Sequence, residues 1–146
     1  MPTFGDWTYS LDRDATVAAY RAAEHGGSDS CGCAGCRNFT LARAEVFPAS
    51  FLTLLDQLGI DPRKDGEAYH IARLSPGRHG YGGWFHFVGT LHETGDFPPI
   101  YLNKDFYVWM SSASAPRLAS LENLSVVQLE FHTDSVPWVL SEPELD

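Results

Sequence analysis

Phe51, Leu54, Leu55 and Leu58 fall at i, i+3, i+4 and i+7, the spacing of one buried helix face. Pro48 opens that helix, Gly59 caps it and Asp61-Pro62 stops it. Upstream, Phe39, Ala42 and Val46 share one side of a helix predicted from near Cys36 to Phe47. The alanine-rich stretch DATVAAYRAAEH predicts a first helix. Asp12 or Ser10 caps its start, and Val17 and Tyr20 lie on one face. His25-Gly26-Gly27 reads as its end, with glycine supplying a left-handed residue. SDSCGCAG, between the first two helices, reads as a tight loop.

After Asp65-Gly66 the period changes to two and the apolar residues become aromatic. EAYHIARL, GWFHFVGTL, DFYVWMSS and SVVQLEFH predict strands, with a short fifth at VPWVL. SPGRHGYGG, HETGDFPP and an NKD turn read as the connections. SAPRLASLENL has room for one helical turn. Helices first and strands after predict an α+β fold, in which N-terminal helices pack on a mainly antiparallel sheet of four to five strands. The expected organisation is one domain over residues 1–146: a helical part at about 10–60, a sheet part at about 66–140, and an acidic tail, SEPELD, at 141–146 that reads as disordered.

Composition narrows the function classes. A chain of 146 residues with 44% hydrophobic content suits a single core. The formal net charge of -9 disfavours nucleic acid and anionic membrane surfaces. It leaves room for a protein partner and for a monomer or a homodimer. No apolar run reaches membrane-helix length, and the N-terminus lacks the basic start and apolar core of a secretory signal. The expected location is therefore the cytoplasm.

Chemistry concentrates in CGCAGCRNF, residues 31–39, which holds all three cysteines. Three clustered thiols fit a metal or redox site better than a secreted disulfide framework. Cys33 and Cys36 are separated by Ala34-Gly35, so both sulfurs can face one ion, and Cys31 adds a third. Three thiolates and one further ligand make a tetrahedral zinc site, with copper(I) the alternative metal. Arg37 or the amides of the helix start can offset the thiolate charge. Strand parity supplies candidates for the fourth ligand. Phe85 and Phe87 share one face of their strand, as do Val127, Leu129 and Phe131 of theirs. His70, His86, Glu130 and His132 then fall on the opposite face. His86 is the first choice as fourth ligand and His132 the second. The simpler explanation of that face is a solvated side of an antiparallel sheet. His25 reads as a helix cap, and His79 and His92 as loop residues.

Three functions follow. The first is a small metal-binding protein whose zinc is structural, held by the CxCxxC loop and a histidine. The second is a zinc enzyme with an open site, where His86, Glu130 or His132 moves protons. The third is a thiol sensor or protein-binding module without metal. SPGRHGYGG lacks the ending of a phosphate loop, and SASAP lacks a nucleophile elbow.

Taken together, CGCAGCRNF, DPRKDGEAYH, GYGGWFHFVGTLHETGDFP and EFHTDSVPWVL resemble the sequences of a group of small uncharacterised bacterial proteins. The resemblance covers nearly the whole chain and implies a bacterial origin and one complete domain. It implies no activity.

Overall fold

The spine of the fold is β4, Arg78–Leu91, a fourteen-residue strand that two shorter strands share along one edge. The structure is a computed structural model, and it describes residues 1–92, 97–112 and 115–146. β3, Glu67–Ser75, pairs with the first part of β4, and β2, Trp7–Leu11, with its end. β1, Thr3–Phe4, extends β2. Along the other edge β7, Val126–Pro137, pairs with β4 from Pro137↔Arg78 to Val126↔Val88. β6, Phe106–Ser111, and β5, Ile100–Asn103, continue the sheet. Every pairing is antiparallel. The α+β class stands, with seven strands among the described residues instead of four to five.

The differences have local causes. WTYSL alternates like a strand but is only five residues long. SPGRHGYGG is no flexible connection, because everything after its Pro76-Gly77 turn belongs to β4. Its glycines make room for neighbours: a Cβ on Gly83 would lie 2.6 Å from both the Glu67 carbonyl and the Phe131 ring. VPWVL is not a separate strand, since Val136 and Pro137 end β7. Leu121 lies in the expected single turn, Ala119–Leu121. Residues 93–96 of the HETGDFPP loop and residues 113 and 114 of SASAP lie outside the described residues.

Phe85, Phe87, Val127, Leu129 and Phe131 share one buried face, as their parity requires. Helices α3, Ala34–Val46, and α4, Ala49–Leu58, cover it. Phe39 of α3 stacks on Phe131, Phe47 packs edge-on to Phe85 and Phe131, and Phe51 of α4 meets Phe106 with ring centres 4.9 Å apart. Gly59 ends α4 in the left-handed conformation, as expected.

α1, Arg13–Ala22, is capped by the Asp12 carboxylate and seals a gap in the sheet. Between the end of β3 and the start of β2, residues 85–88 of β4 have no strand on that side. Buried backbone polar groups need partners, and α1 supplies them. The Tyr20 hydroxyl donates to the His86 carbonyl at 2.7 Å and accepts the His86 N–H at 3.2 Å. The Thr16 hydroxyl accepts the Val88 N–H, and the Asp12 N–H donates to the Val88 carbonyl. Tyr20→Phe is therefore expected to cost about 2 kcal/mol, because it leaves two buried backbone groups unpaired. Urea unfolding of the two proteins reads the difference, and a loss under about 0.5 kcal/mol would contradict this account of the gap.

The SEPELD tail is not free chain. Arg37 pairs with Glu142, and Glu144 accepts from the Gly77 N–H at 2.7 Å and pairs with Arg73 at 3.1 Å. No helix among the described residues is long and apolar enough to cross a membrane.

Candidate metal centre

The cysteines sit where two helices meet the outer edge of β3. The predicted loop SDSCGCAG contains a five-residue helix, α2, Gly27–Cys31. Gly26 and Gly27 start this helix; they do not end α1 in a left-handed residue. Their lack of side chains matters for packing: a Cβ on Gly27 would lie 2.2 Å from the Gly66 carbonyl oxygen. Buried Asp65 fastens α2 there, accepting the Ser28 hydroxyl at 2.6 Å and the Ser28 N–H at 3.1 Å. Gly32 then takes a φ of 76°, which reverses the chain. Cys33 follows in extended conformation as the N-cap of α3.

This path gathers the three sulfurs. Cys31 and Cys33 Sγ are 3.2 Å apart, and all three sulfurs lie within 4.8 Å of one another. A tetrahedral ion with metal–sulfur bonds of about 2.3 Å sets its sulfurs about 3.8 Å apart. The cluster brackets that spacing, so ligation requires only small rotations about the side-chain bonds. Cys31 and Cys33 are exposed and Cys36 is half-buried, its sulfur 3.9 Å from the Ala68 carbonyl of β3.

The environment separates the thiols. The Cys36 N–H points at the Cys33 sulfur from 3.4 Å and is the main cause that lowers the Cys33 pKa; an amide at a helix start favours a thiolate. Burial, followed by the neighbouring sulfurs, pushes the Cys36 thiol up. Arg37 contributes from a distance: its guanidinium binds the Gly32 carbonyl and the Glu142 carboxylate, and it keeps a smaller attractive interaction with Cys33. The sulfurs open onto a cleft of about 320 Å³ whose other walls include Ala68, His70 and Leu145.

Comparison with protein-family models, with curated proteins and with solved structures finds no match. The site's own geometry must therefore carry the functional reading.

Four of the six histidines fall in two groups, divided by the sheet. Gly82 pairs with His132 and His86 with Gln128, so both candidate fourth ligands lie on the face away from α3 and α4. The structure does not bring His86 or His132 to the sulfurs. Each has another partner: His86 Nε2 is 3.0 Å from Gln128 Oε1, and His132 Nε2 is 2.9 Å from Asp134 Oδ1. Glu130, on the same face, accepts from the Trp109 indole N–H. His70 is not on that face. Tyr69 pairs with Gly82 and its ring meets Trp84, which turns His70 to the helical side beside Tyr81. His79, expected in a loop, is fully buried in β4 and joins His70 to Glu144. His25 lies beyond α1, whose C-cap is Ala23.

His86 has a measurable consequence. Burial holds its imidazole down to about 4, although the Gln128 hydrogen bond opposes this. The unfolded chain takes up this proton near the ordinary value of about 6.5, and the folded chain does so only near 4. Stability from this group is complete above the unfolded value and is lost as pH falls between the two. The loss reaches up to about 3 kcal/mol. Urea midpoints measured across this range are expected to fall with acid, and His86→Gln is expected to flatten the slope by about one proton.

Proposed function

We propose that the protein binds one zinc ion through Cys31, Cys33, Cys36 and a histidine, and that the ion pins the cysteine turn to the sheet. The observation that supports this is the three sulfurs held within 4.8 Å by two helices and a left-handed glycine. Zinc suits thiolate ligands and tetrahedral geometry, and copper(I) is the other metal such a set accepts. Keeping three thiols reduced for a metal requires a reducing compartment, which accords with a cytoplasmic location. The net charge of -9 argues against nucleic acid as a partner.

Elemental mass spectrometry of tag-free protein purified without chelator tests the reading. The expected result is about one zinc per chain, lost when Cys31, Cys33 and Cys36 are all changed to serine. Copper with the same cysteine dependence would assign copper(I) instead. A metal-free protein with three freely reactive thiols would overturn the reading.

The difference between Cys33 and Cys36 supports a second function, thiol–disulfide exchange. Cys33 is exposed with its pKa lowered, and Cys36 is half-buried with its pKa raised. The Cys33 thiolate attacks a low-molecular-weight disulfide and releases one thiol. Cys36, giving up its proton, displaces the second thiol and closes a Cys33–Cys36 disulfide. Titration of the metal-free protein with oxidised glutathione, followed by intact mass, tests this. Loss of two hydrogens supports exchange, and an unchanged mass rules it out.

A further inference from the structure

We propose that His70 is the fourth ligand of the centre, through Nδ1, and that a buried His79–Glu144 relay orients it. The inference rests on the three-cysteine metal reading and goes beyond it by closing the site with His70, which strand parity predicts on the other face, and with a His79–Glu144 relay.

With both imidazoles neutral, hydrogen-bond chemistry sets the direction of the relay. The Glu144 carboxylate only accepts, and it also takes the Gly77 N–H and the Arg73 guanidinium. His79 Nε2, 2.8 Å from Glu144 Oε1, is therefore the donor. The His79 ring is fully buried, between His70 and Trp138, and in its neutral form Nδ1 is left as an acceptor. His70 Nε2, 2.8 Å from that atom, donates to it. The His70 Nδ1 lone pair is then free, with no hydrogen-bond partner among the described residues. A metal-binding histidine has this arrangement: one nitrogen carries the lone pair, and the other donates its N–H to a chain ending in a carboxylate.

Position brings His70 to the same cleft, with its ring nitrogens outside the group of three sulfurs held within 4.8 Å, so ligation requires the cysteine turn to close onto it. His70 lines the cleft into which the three sulfurs open. Gly35 lets α3 come close to it: a Cβ on Gly35 would lie 3.4 Å from His70 Cβ and 3.3 Å from Leu145 Cδ1. The turn of α3 that holds Cys33 and Cys36 is therefore seated directly against His70. Glu67 also borders the cleft, but it pairs with Trp84 and so belongs to the opposite face. The C-terminal segment becomes part of the centre, because Glu144 anchors the relay and Leu145 forms a wall of the cleft.

Cobalt(II) substitution tests the inference, because the absorption of the ion reports its ligands. Wild type is expected to give the spectrum of a tetrahedral ion with three sulfurs and one nitrogen. His70→Ala is expected to lower cobalt affinity at least 10-fold and to change the spectrum. His70→Cys is expected to move the spectrum to that of a four-sulfur site. Glu144→Gln leaves the ligands in place and is expected to weaken binding about 10-fold with a nearly unchanged spectrum. Wild-type affinity and spectrum in His70→Ala would overturn the inference and leave the three-thiolate reading standing. If His70→Ala does not fold, His70→Cys decides, and an unchanged spectrum there overturns the inference. A wild-type protein that binds neither cobalt nor zinc removes both readings.

Discussion

Phe131→Ala is expected to cost about 4 kcal/mol, within the usual range for a buried phenylalanine. The ring is fully buried in β7, between β4 and β6. It contacts Phe39, Phe47, Phe51, Phe85 and Phe106, so its neighbours come from both covering helices and both flanking strands. Truncation leaves a cavity that rigid rings on several elements cannot collapse into, and it removes several ring contacts at once. Phe131→Leu keeps most of the volume and is expected to cost about 1.5 kcal/mol. Leu52→Ala serves as a control. That side chain is 40% exposed on α4, and its loss should cost well under the core value. Urea unfolding gives all three differences. If Phe131→Ala cost no more than Leu52→Ala, α3 and α4 would not pack on this face.

The parts of the structure that were legible in the sequence depend on local periodicity. Phe51, Leu54, Leu55 and Leu58 are buried on α4 as their spacing requires. Strand parity likewise separated Phe85 and Phe87 from His86 correctly, because alternation is a property of one strand. The face that His70 joins was not legible. It depends on the register between β3 and β4, in which Tyr69 faces Gly82, and parity within β3 does not contain that information. His79 was hidden among glycines that resemble a loop and in fact admit the Tyr69 and Phe131 rings beside β4. Glu144 gave no signal at all. It lies in an acidic tail of disordered composition, and the partners that order it, Arg73, Gly77 and His79, come from about seventy residues earlier in the chain. The cysteine cluster was legible because its three members are nearly adjacent. The proposed fourth ligand, His70, was not, because its face depends on long-range strand register.

Removal of the metal is expected to lower stability by about 4 kcal/mol without unfolding the protein at 25 °C. A ligand that binds only the folded state adds about 4.1 kcal/mol at a free concentration a thousand times its Kd, and each tenfold dilution subtracts about 1.4. For a chain of this size that corresponds to a fall in Tm of about 10 °C when a chelator is added. The fold should survive, because the phenylalanine core lies under α3 and α4 and includes none of the three cysteines. The loss of order should be local. α2 is only five residues long and is held otherwise by Asp65, so hydrogen exchange should accelerate at residues 27–37. Residues 138–146 should accelerate with them if the relay through Glu144 is coupled to the ion, while amides in the centre of β7 should keep their protection. Cys36→Ser should behave like the chelated wild type and show no further response to chelator. A chelated protein that has lost its zinc but keeps both its Tm and its exchange pattern would show that the ion is no part of the fold. The open cleft beside the sulfurs would then point to an ion that takes part in chemistry.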